Sequence, residues 1–325
     1  MSAHAVTPSK HGEPPGSPCF WVDWGFRPTA RAAMPIQRPS QSEILTLNRH
    51  RCHLRRWGPR DAPLLVLLHG WMDSSATFQF LVDALPDGWQ VAAPDWRGFG
   101  DSDWNDGSYY FPDYLADLDA LLDALSPQQP VKLLGHSMGS MIAGIYAGIR
   151  PERVEKLVLA EGFGLAATKP AEAPGRYARW LRETRDAPEF GDLQSLDAVA
   201  AKLLERNPRL TPERAQWLAR ELTRQRDDGL YYRADPRHKM VNPVLYRLEE
   251  AMACWQRISA PVLWALGGDT NDHPLAKSVA ASMPQRRACF AKLQETVIAD
   301  AGHMLQWEQP EALAAAIHAF FSQPQ

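Results

Sequence analysis

The sequence has few cysteines, no long apolar run and no large excess of charge of one sign. Its four cysteines are scattered along 325 residues, without a CxxC pair or a grouping of histidine and cysteine at the spacing of metal ligands. This pattern predicts reduced thiols rather than a disulfide framework or a zinc site. No stretch approaches the roughly 20 apolar residues of a membrane-spanning helix, and residues 1–20 lack the apolar run of a signal peptide. We therefore expect no metal, no membrane span and a cytoplasmic location.

The charge balance excludes two classes of partner. The formal net charge is −3 at pH 7, from 35 lysines and arginines and 38 aspartates and glutamates that are mixed along the chain. Without a broad basic field, neither nucleic acid nor an anionic membrane surface is an expected partner. Apolar residues make up 45% of the chain, which is ordinary for a folded protein with a sizeable core.

Apolar runs of strand length recur along most of the chain. Residues 1 to 40 are rich in proline, serine and glycine, and we expect a poorly ordered arm there, followed by a β-hairpin over 43–57. Apolar runs then alternate with amphipathic helical segments, at residues 64–69, 90–95, 131–136 and 154–161. Continuous apolar runs are typical of parallel strands that are covered on both faces. The pattern predicts an α/β fold, with a mostly parallel, twisted sheet and helices on both faces.

The alternation of strand patterns and helix patterns stops after Glu161. Charged segments of helical character fill residues 176 to 255, and apolar strand patterns resume at 260–268 and 295–300, before a last amphipathic helix. We interpret the interruption as a helical cap inserted into the sheet domain. The predicted division is a core of residues 41–161 and 257–325, with residues 162–256 as the cap.

A possible nucleophile lies between an apolar strand and a helix rich in small residues. The segment Gly135-His136-Ser137-Met138-Gly139 fits the pattern G-x-S-x-G in the strand-to-helix context that the pattern requires. The turn is so tight that a Cβ at either glycine would collide with neighbouring chain, and the serine must adopt a strained backbone. Its hydroxyl is thereby exposed above the sheet edge. We predict Ser137 as the nucleophile.

A serine hydroxyl needs a general base, because it is barely ionised at neutral pH. His303 follows the last predicted strand and precedes the last helix, so we expect it at the carboxyl edge of the sheet, near the nucleophile. Backbone amides are expected to stabilise the oxyanion that forms when the serine attacks a carbonyl carbon. We assign these amides to Met138, which begins the helix, and to Trp71, in the Gly-containing turn after the first parallel strand.

Four segments together resemble a known superfamily. HGW, PDWRGFGDSD, GHSMG and GHMLQWEQPE occur in the order and spacing of the α/β-hydrolase superfamily, and the resemblance covers Glu43 to the C-terminus. Within it, YYRADPRHKMVNPVLYR and LAEGFG resemble the serine-hydrolase-like group of small esterase-type proteins. The resemblance implies the α/β-hydrolase fold and a triad of serine, histidine and carboxylate.

The sequence departs from the superfamily's pattern at the acid of the triad. Relatives usually place it four residues into the loop after the penultimate strand, where this chain has Thr270, which carries no charge. Glu161 is the first choice, because it directly follows a strand at the same sheet edge and other branches of the superfamily place their acid there. Asp269 and then Asp272 remain alternatives.

The expected pocket beside the nucleophile is apolar and partly aromatic, formed by Trp71, Trp104, Phe163, Met304 and Trp307. Relatives that open epoxides or remove halide use a carboxylate in place of the serine, so neither chemistry is expected.

The sequence favours hydrolysis of a small, fairly apolar carboxylic ester through an acyl-enzyme, without a cofactor. Carbon–carbon bond hydrolysis, acyl transfer to an alcohol, and ligand binding without catalysis remain alternatives on the same fold. The expected partner is a small acyl substrate, and the chain could be a monomer or a homodimer.

Overall fold

The structure is a computed structural model that describes residues 36–324. The predicted arm therefore lies mostly outside the described residues. Its last part is held against the folded domain: the Arg38 backbone N–H donates to Asp83 at 2.9 Å, and the Gln79 amide donates to the Arg38 carbonyl at 2.8 Å. Within the described range, no helix is both long and apolar enough to cross a membrane.

The core is an eight-stranded sheet in the order β1-β2-β4-β3-β5-β6-β9-β10. In chain order, the strands of the described residues are β1 (Gln41–Leu47), β2 (His50–Trp57), β3 (Leu64–Leu68), β4 (Gln90–Pro94), β5 (Val131–His136), β6 (Val154–Ala160), β7 (Thr223–Arg226), β8 (Gly229–Tyr232), β9 (Val262–Gly267) and β10 (Leu293–Ile298). Strand β2 runs antiparallel to β1 and β4, and the remaining pairs of the sheet are parallel. The prediction of a leading hairpin and a mostly parallel sheet is confirmed.

Helices cover both faces of this sheet. In chain order, the α-helices of the described residues are α1 (Gln79–Ala84), α2 (Phe111–Leu125), α3 (Met138–Ile149), α4 (Ala173–Arg185), α5 (Leu196–Arg206), α6 (Pro212–Leu222), α7 (Leu248–Trp255), α8 (Pro274–Val279), α9 (Met283–Arg287), α10 (Leu305–Glu308) and α11 (Pro310–Phe321). Val66 and Leu68 of β3 pack in one apolar cluster with α2, α3 and α7, whereas Leu65 and Leu67 pack in another with α1 and α11. Because successive strand side chains point to opposite faces, a continuous apolar run fills both clusters.

Helix α7 belongs to the core, which corrects the predicted cap boundary at residue 256. A Cβ at Gly148 of α3 would collide with the carbonyl of Cys254 in α7, and one at Gly144 would lie 3.2 Å from Nε1 of Trp255. The two helices therefore lie so close together that neither glycine position has room for a methyl group. We use the word cap below for residues 162–247.

The cap has an apolar cluster of its own. Helices α5 and α6 contribute Val199, Ala215 and Leu218, and the ring of Trp217 lies 5.0 Å from that of Phe80 in the core domain. The segment after α6 was expected to be helical, but the chain forms the hairpin β7–β8 there. Residues 227–229 read Asp-Asp-Gly and supply a turn, and the tyrosines that follow favour a strand.

Candidate active site

Ser137 stands at a sharp turn between β5 and α3. Its φ of 50° and ψ of −112° lie in a region that residues with a side chain rarely adopt. The flanking glycines make the turn possible, because a Cβ at Gly135 would collide with the carbonyl group of Gly139, and one at Gly139 with the carbonyl oxygen of Leu68. The glycine spacing therefore serves the turn that exposes the serine hydroxyl.

His303 lies in the loop between β10 and α10 and connects the serine to a carboxylate. Its Nε2 is 3.0 Å from Ser137 Oγ, and its Nδ1 is 3.2 Å from Glu161 Oε2. The carboxylate can only accept, so Nδ1 carries the proton and Nε2 is free to accept the serine proton. The structure thus brings His303 together with Glu161, 142 positions away in the sequence, and with Ser137, 166 positions away.

Glu161, the first choice for the acid, directly follows β6 and is fully buried, with a φ of 55°. Its Oε1 accepts the backbone N–H of Gly267 at 2.7 Å, and its Oε2 accepts the hydroxyl of Thr270 as well as the imidazole of His303. A buried carboxylate is costly unless hydrogen bonds replace its hydration, and these three donors do so. Thr270 therefore supports the acid from the position where the resemblance predicts the acid itself.

The alternative acids are placed differently. The carboxylate of Asp269 is 46% exposed and forms an ion pair with Arg209 of the cap. Asp272 lies in the short helical turn Thr270–Asp272, and its side chain is outside the described part of the structure. Of the two candidates with described side chains, Glu161 is the one that contacts His303.

The turn after β3 passes directly beside the nucleophile. A Cβ at Gly70 would lie 3.2 Å from Ser137 Cβ, so the chain approaches at a distance that only glycine permits without adjustment. His69 holds this turn: its Nε2 accepts the backbone N–H of Trp96 at 2.9 Å, and its Nδ1 donates to the Gly70 carbonyl at 2.7 Å. Burial lowers the pKa of His69 to about 4, so the imidazole is neutral. Trp71 thus follows a fixed turn next to Ser137.

A buried histidine that the sequence analysis did not single out holds the loop of His303 in place. His136 donates from Nε2 to the carbonyl oxygen of His303 at 2.8 Å, and its Nδ1 accepts from the Gln306 amide at 3.2 Å. Burial, and next the neighbouring His303, lower the pKa of His136 to about 3. Its position within the G-x-S-x-G motif was the available signal, but a motif assigns no role to the x residues.

A second unexpected imidazole stacks on the ring of His303. The rings of His273 and His303 lie 4.2 Å apart and within 10° of parallel. His273 precedes α8, and its Nδ1 accepts the backbone N–H of Leu275 at 3.3 Å. Burial, together with the proximity of His303, lowers the pKa of His273. The loop after β9 therefore contacts both ends of the Glu161–His303 pair, through Thr270 and His273.

A cavity of about 980 Å³ lies between His303 and the cap. Its wall includes three of the expected pocket residues, Trp71, Met304 and Trp307, together with apolar cap residues that the sequence analysis did not name: Phe190, Leu203, Leu222 and Tyr232. The pocket next to His303 is therefore partly apolar and aromatic, and the cap supplies much of its surface.

Two expected pocket residues lie elsewhere, which corrects the predicted lining. Phe163 is 3% exposed and packs in the core, with its ring 6.4 Å from that of Trp264. Trp104 borders a separate polar cleft beside Asp101. Both residues follow strands that end near the site, but the direction of a side chain in a loop depends on contacts that the sequence does not reveal.

One group of side chains has the composition of a metal site. Ligand atoms of His53, Asp95 and Asp101 lie within 4.8 Å of one another. Both oxygens of Asp95 already accept protein donors, at 2.6 Å from the Ser75 N–H and at 2.7 Å from His53 Nδ1, and Asp101 pairs with Arg233 at 2.6 Å. Despite burial, which raises it, the hydrogen bond and charge of His53 hold the pKa of Asp95 well below its usual range. The group serves to brace the loop after β4.

Comparison with known proteins agrees with this architecture. The chain is 27% identical over 285 residues to a serine hydrolase-like protein of Danio rerio, covering 83% of this chain and 84% of that protein. It is also 27% identical over 284 residues to the 3-hydroxybutyrate-oligomer hydrolase of Cupriavidus necator, covering 82% of this chain and 92% of the relative. The solved thioesterase domain from the curacin biosynthetic pathway has a TM-score of 0.74 at 23% identity, covering 86% of this chain and 99% of the domain, which shows a shared fold.

The sequence also matches the family model described as the alpha/beta hydrolase fold, over residues 63–310. The match spans most of the chain and includes both the sheet and the cap. Such membership supports a hydrolase activity. The chain belongs to the α/β-hydrolase fold family, in its serine-hydrolase-like group.

Proposed function

We propose that the protein is a serine hydrolase that cleaves a small, fairly apolar carboxylic ester through an acyl-enzyme. The observation that carries the proposal is the continuous chain of contacts from Ser137 Oγ to His303 Nε2, at 3.0 Å, and from His303 Nδ1 to Glu161 Oε2, at 3.2 Å. Nucleophile, base and orienting carboxylate in this arrangement are what acyl transfer requires. The partly apolar cavity beside them accommodates an acyl group of modest size.

In the first half of the reaction, His303 Nε2 removes the proton of Ser137 Oγ as the oxygen attacks the ester carbonyl carbon. The negative charge that develops on the carbonyl oxygen is stabilised by the backbone N–H groups of Met138 and Trp71. Glu161 stabilises the imidazolium that forms. The imidazolium then gives its proton to the departing alkoxide, which leaves as the alcohol and creates the acyl-serine.

In the second half, a water molecule replaces the alcohol. His303 removes a proton from water, the resulting hydroxide attacks the acyl carbon, and the same amides stabilise the second oxyanion. Collapse of this intermediate returns the proton to Ser137 Oγ and releases the carboxylic acid. His136 donates to the His303 carbonyl and so keeps the loop of the base in place through both halves.

The name of one relative supports ester chemistry. The Cupriavidus necator protein is named as a hydrolase of 3-hydroxybutyrate oligomers, and this chain covers 92% of its length. Carbon–carbon bond hydrolysis and acyl transfer would use the same serine, and analysis of the products separates them from ester hydrolysis.

The first test is covalent labelling by a fluorophosphonate, followed by intact mass measurement. We expect one adduct on the wild type and none on Ser137→Ala or His303→Ala. Ser74→Ala is a matched control, because Ser74 lines the same cavity and its buried hydroxyl has no partner among the described residues. A folded wild type that does not react would contradict the proposal and favour binding without catalysis.

A further inference from the structure

Positive charge is concentrated on the cap side of the catalytic cavity. The cations in its wall are Arg206, Arg209, Arg233 and Lys239. Two of them are engaged away from the cavity: Arg233 donates to the Asp101 carboxylate at 2.6 Å, and Lys239 donates to the Glu189 carbonyl at 2.6 Å. The other two, Arg206 and Arg209, have no described contact that leads away from the cavity, because the partner of Arg209 is Asp269, which lines the cavity as well.

Arg206 has no charged or hydrogen-bonding partner among residues 36–324. It ends helix α5, where a cation interacts favourably with the helix dipole, and an exposed arginine there can simply be solvated. Its place in the wall of the cavity distinguishes it from other exposed arginines of the cap, such as Arg220 on the neighbouring helix α6. The guanidinium can therefore donate to a molecule inside the cavity.

Arg209 already binds a carboxylate. Its ion pair with Asp269 joins the cap to the loop after β9, and both side chains line the cavity. Asp269 directly precedes Thr270, which donates to the catalytic acid. Since Asp269 is 46% exposed, the pair is accessible to a ligand that can share the guanidinium.

The acidic groups of the cavity compensate this charge only in part. Burial raises the pKa of Asp73 to about 7, and burial also raises the pKa of Glu308. The charged groups of the wall thus leave an excess of positive charge on the cap side of the cavity.

From these placements we propose that Arg206 and Arg209 bind an anionic group of the substrate, so that the preferred esters carry a carboxylate at the end remote from the scissile bond. The inference rests on the proposed function and names its substrate class. The apolar residues of the cavity hold the chain between the two ends, and the carboxylate of Asp269 occupies Arg209 until the carboxylate of the substrate arrives.

The test compares two p-nitrophenyl esters whose acyl chains have equal length and end in a methyl group or in a carboxylate. We expect wild type to have the higher kcat/KM for the carboxylate ester. Arg206→Gln should lower that value about tenfold, as expected for the loss of one charge-assisted hydrogen bond, and should change the value for the neutral ester less than about twofold. Arg220→Gln is the matched control and should leave both values unchanged.

A second variant removes the carboxylate of Asp269, which competes with the substrate for Arg209, instead of an arginine. Asp269→Asn frees Arg209, so the ratio of kcat/KM for the carboxylate ester to kcat/KM for the neutral ester should rise. Wild type that cleaves the neutral ester and shows no preference for the carboxylate ester would overturn the inference and leave the proposed function intact.

Binding measured without catalysis keeps the two proposals separate. In the Ser137→Ala background, calorimetry with the carboxylate ester should show weaker binding when Arg206→Gln is added. If the two proteins bind the carboxylate ester equally well, the inference fails, whatever the outcome of fluorophosphonate labelling.

Discussion

The hydroxyl of Thr270 donates a hydrogen bond to the carboxylate of Glu161, and the same carboxylate oxygen faces the imidazole of His303. Glu161, the proposed acid, comes from the end of β6, and the loop after β9 supplies a donor to it. The two loops meet at one edge of the sheet because β6 and β9 are paired neighbours, with Ala160 opposite Ala265. A carboxylate from either loop is therefore close to the histidine.

Replacing the acid should reduce catalysis without unfolding the protein. We expect Glu161→Gln to lower kcat about 10³-fold, because the amide neither stabilises the imidazolium nor selects the Nδ1–H tautomer. Steady-state kinetics on a p-nitrophenyl ester gives the value, and circular dichroism checks the fold. Adding Thr270→Asp to Glu161→Gln should restore part of the activity, since it places a carboxylate on the neighbouring loop. Unchanged kcat in the single variant would exclude Glu161 as the acid.

A methyl group at Gly139 should destabilise the protein. The added Cβ would collide with the carbonyl oxygen of Leu68, which belongs to the rigid central sheet. We expect Gly139→Ala to lower the free energy of unfolding by about 3 kcal/mol, measured by urea denaturation. Gly175→Ala is the control, because that position in α4 has nothing within 4 Å, and alanine there should be neutral or slightly stabilising. Equal stability of the two variants would contradict the packing described for the turn.

Low pH should destabilise the folded protein, because His136 is protonated in the unfolded state. Its pKa in the folded state is about 3, below the ordinary value of 6.5. Between these two pH values the unfolded state therefore binds a proton that the folded state does not bind. The stability contributed by this group is present above pH 6.5 and is lost as the pH falls toward 3. His136→Gln retains a donor for the His303 carbonyl and removes the titration. The free energy of unfolding of the variant should therefore fall less steeply over this range in urea titrations at several pH values.

Asp73 should have the opposite effect on the stability of the fold, which it lowers as the pH rises. Burial raises its folded pKa to about 7 from an ordinary value of 3.8, so the folded state holds a proton that the unfolded state loses. The stability contributed by this carboxyl is fully present below pH 3.8 and is lost as the pH rises through 7. The difference in melting temperature between Asp73→Asn and wild type should therefore grow in favour of the variant between pH 5 and pH 8. A constant difference would show that the group does not titrate in this range.

The sheet and the nucleophile turn could be predicted because each depends on local pattern. Apolar runs marked the strands at 131–136 and 154–161, and the two glycines around Ser137 are needed by the backbone alone. The choice of Glu161 over Asp269 followed from its place at a strand end. These features can be predicted without knowing which loops lie next to one another in the fold.

The remaining features depend on contacts between distant segments. The stacking of His273 on His303 requires a particular loop path after β9, and the burial of Phe163 requires the neighbouring Trp264. Helix α7 resembled the charged helices before it, and only the small residues at Gly144 and Gly148 signalled that another helix packs there. Side-chain direction and helix partners are decided by tertiary packing, which periodicity does not encode.

The cap leaves the core after β6 and returns before α7, while the proposed nucleophile, base and acid all lie in the core domain. In the proposed function, separate stretches of chain thus carry reactivity and selectivity. Transplanting the cap of another family member between residues 162 and 247 should change which esters are cleaved while preserving reaction with fluorophosphonate. The fold thereby permits new substrate preferences to arise by exchange of one contiguous block, without alteration of the chemical machinery.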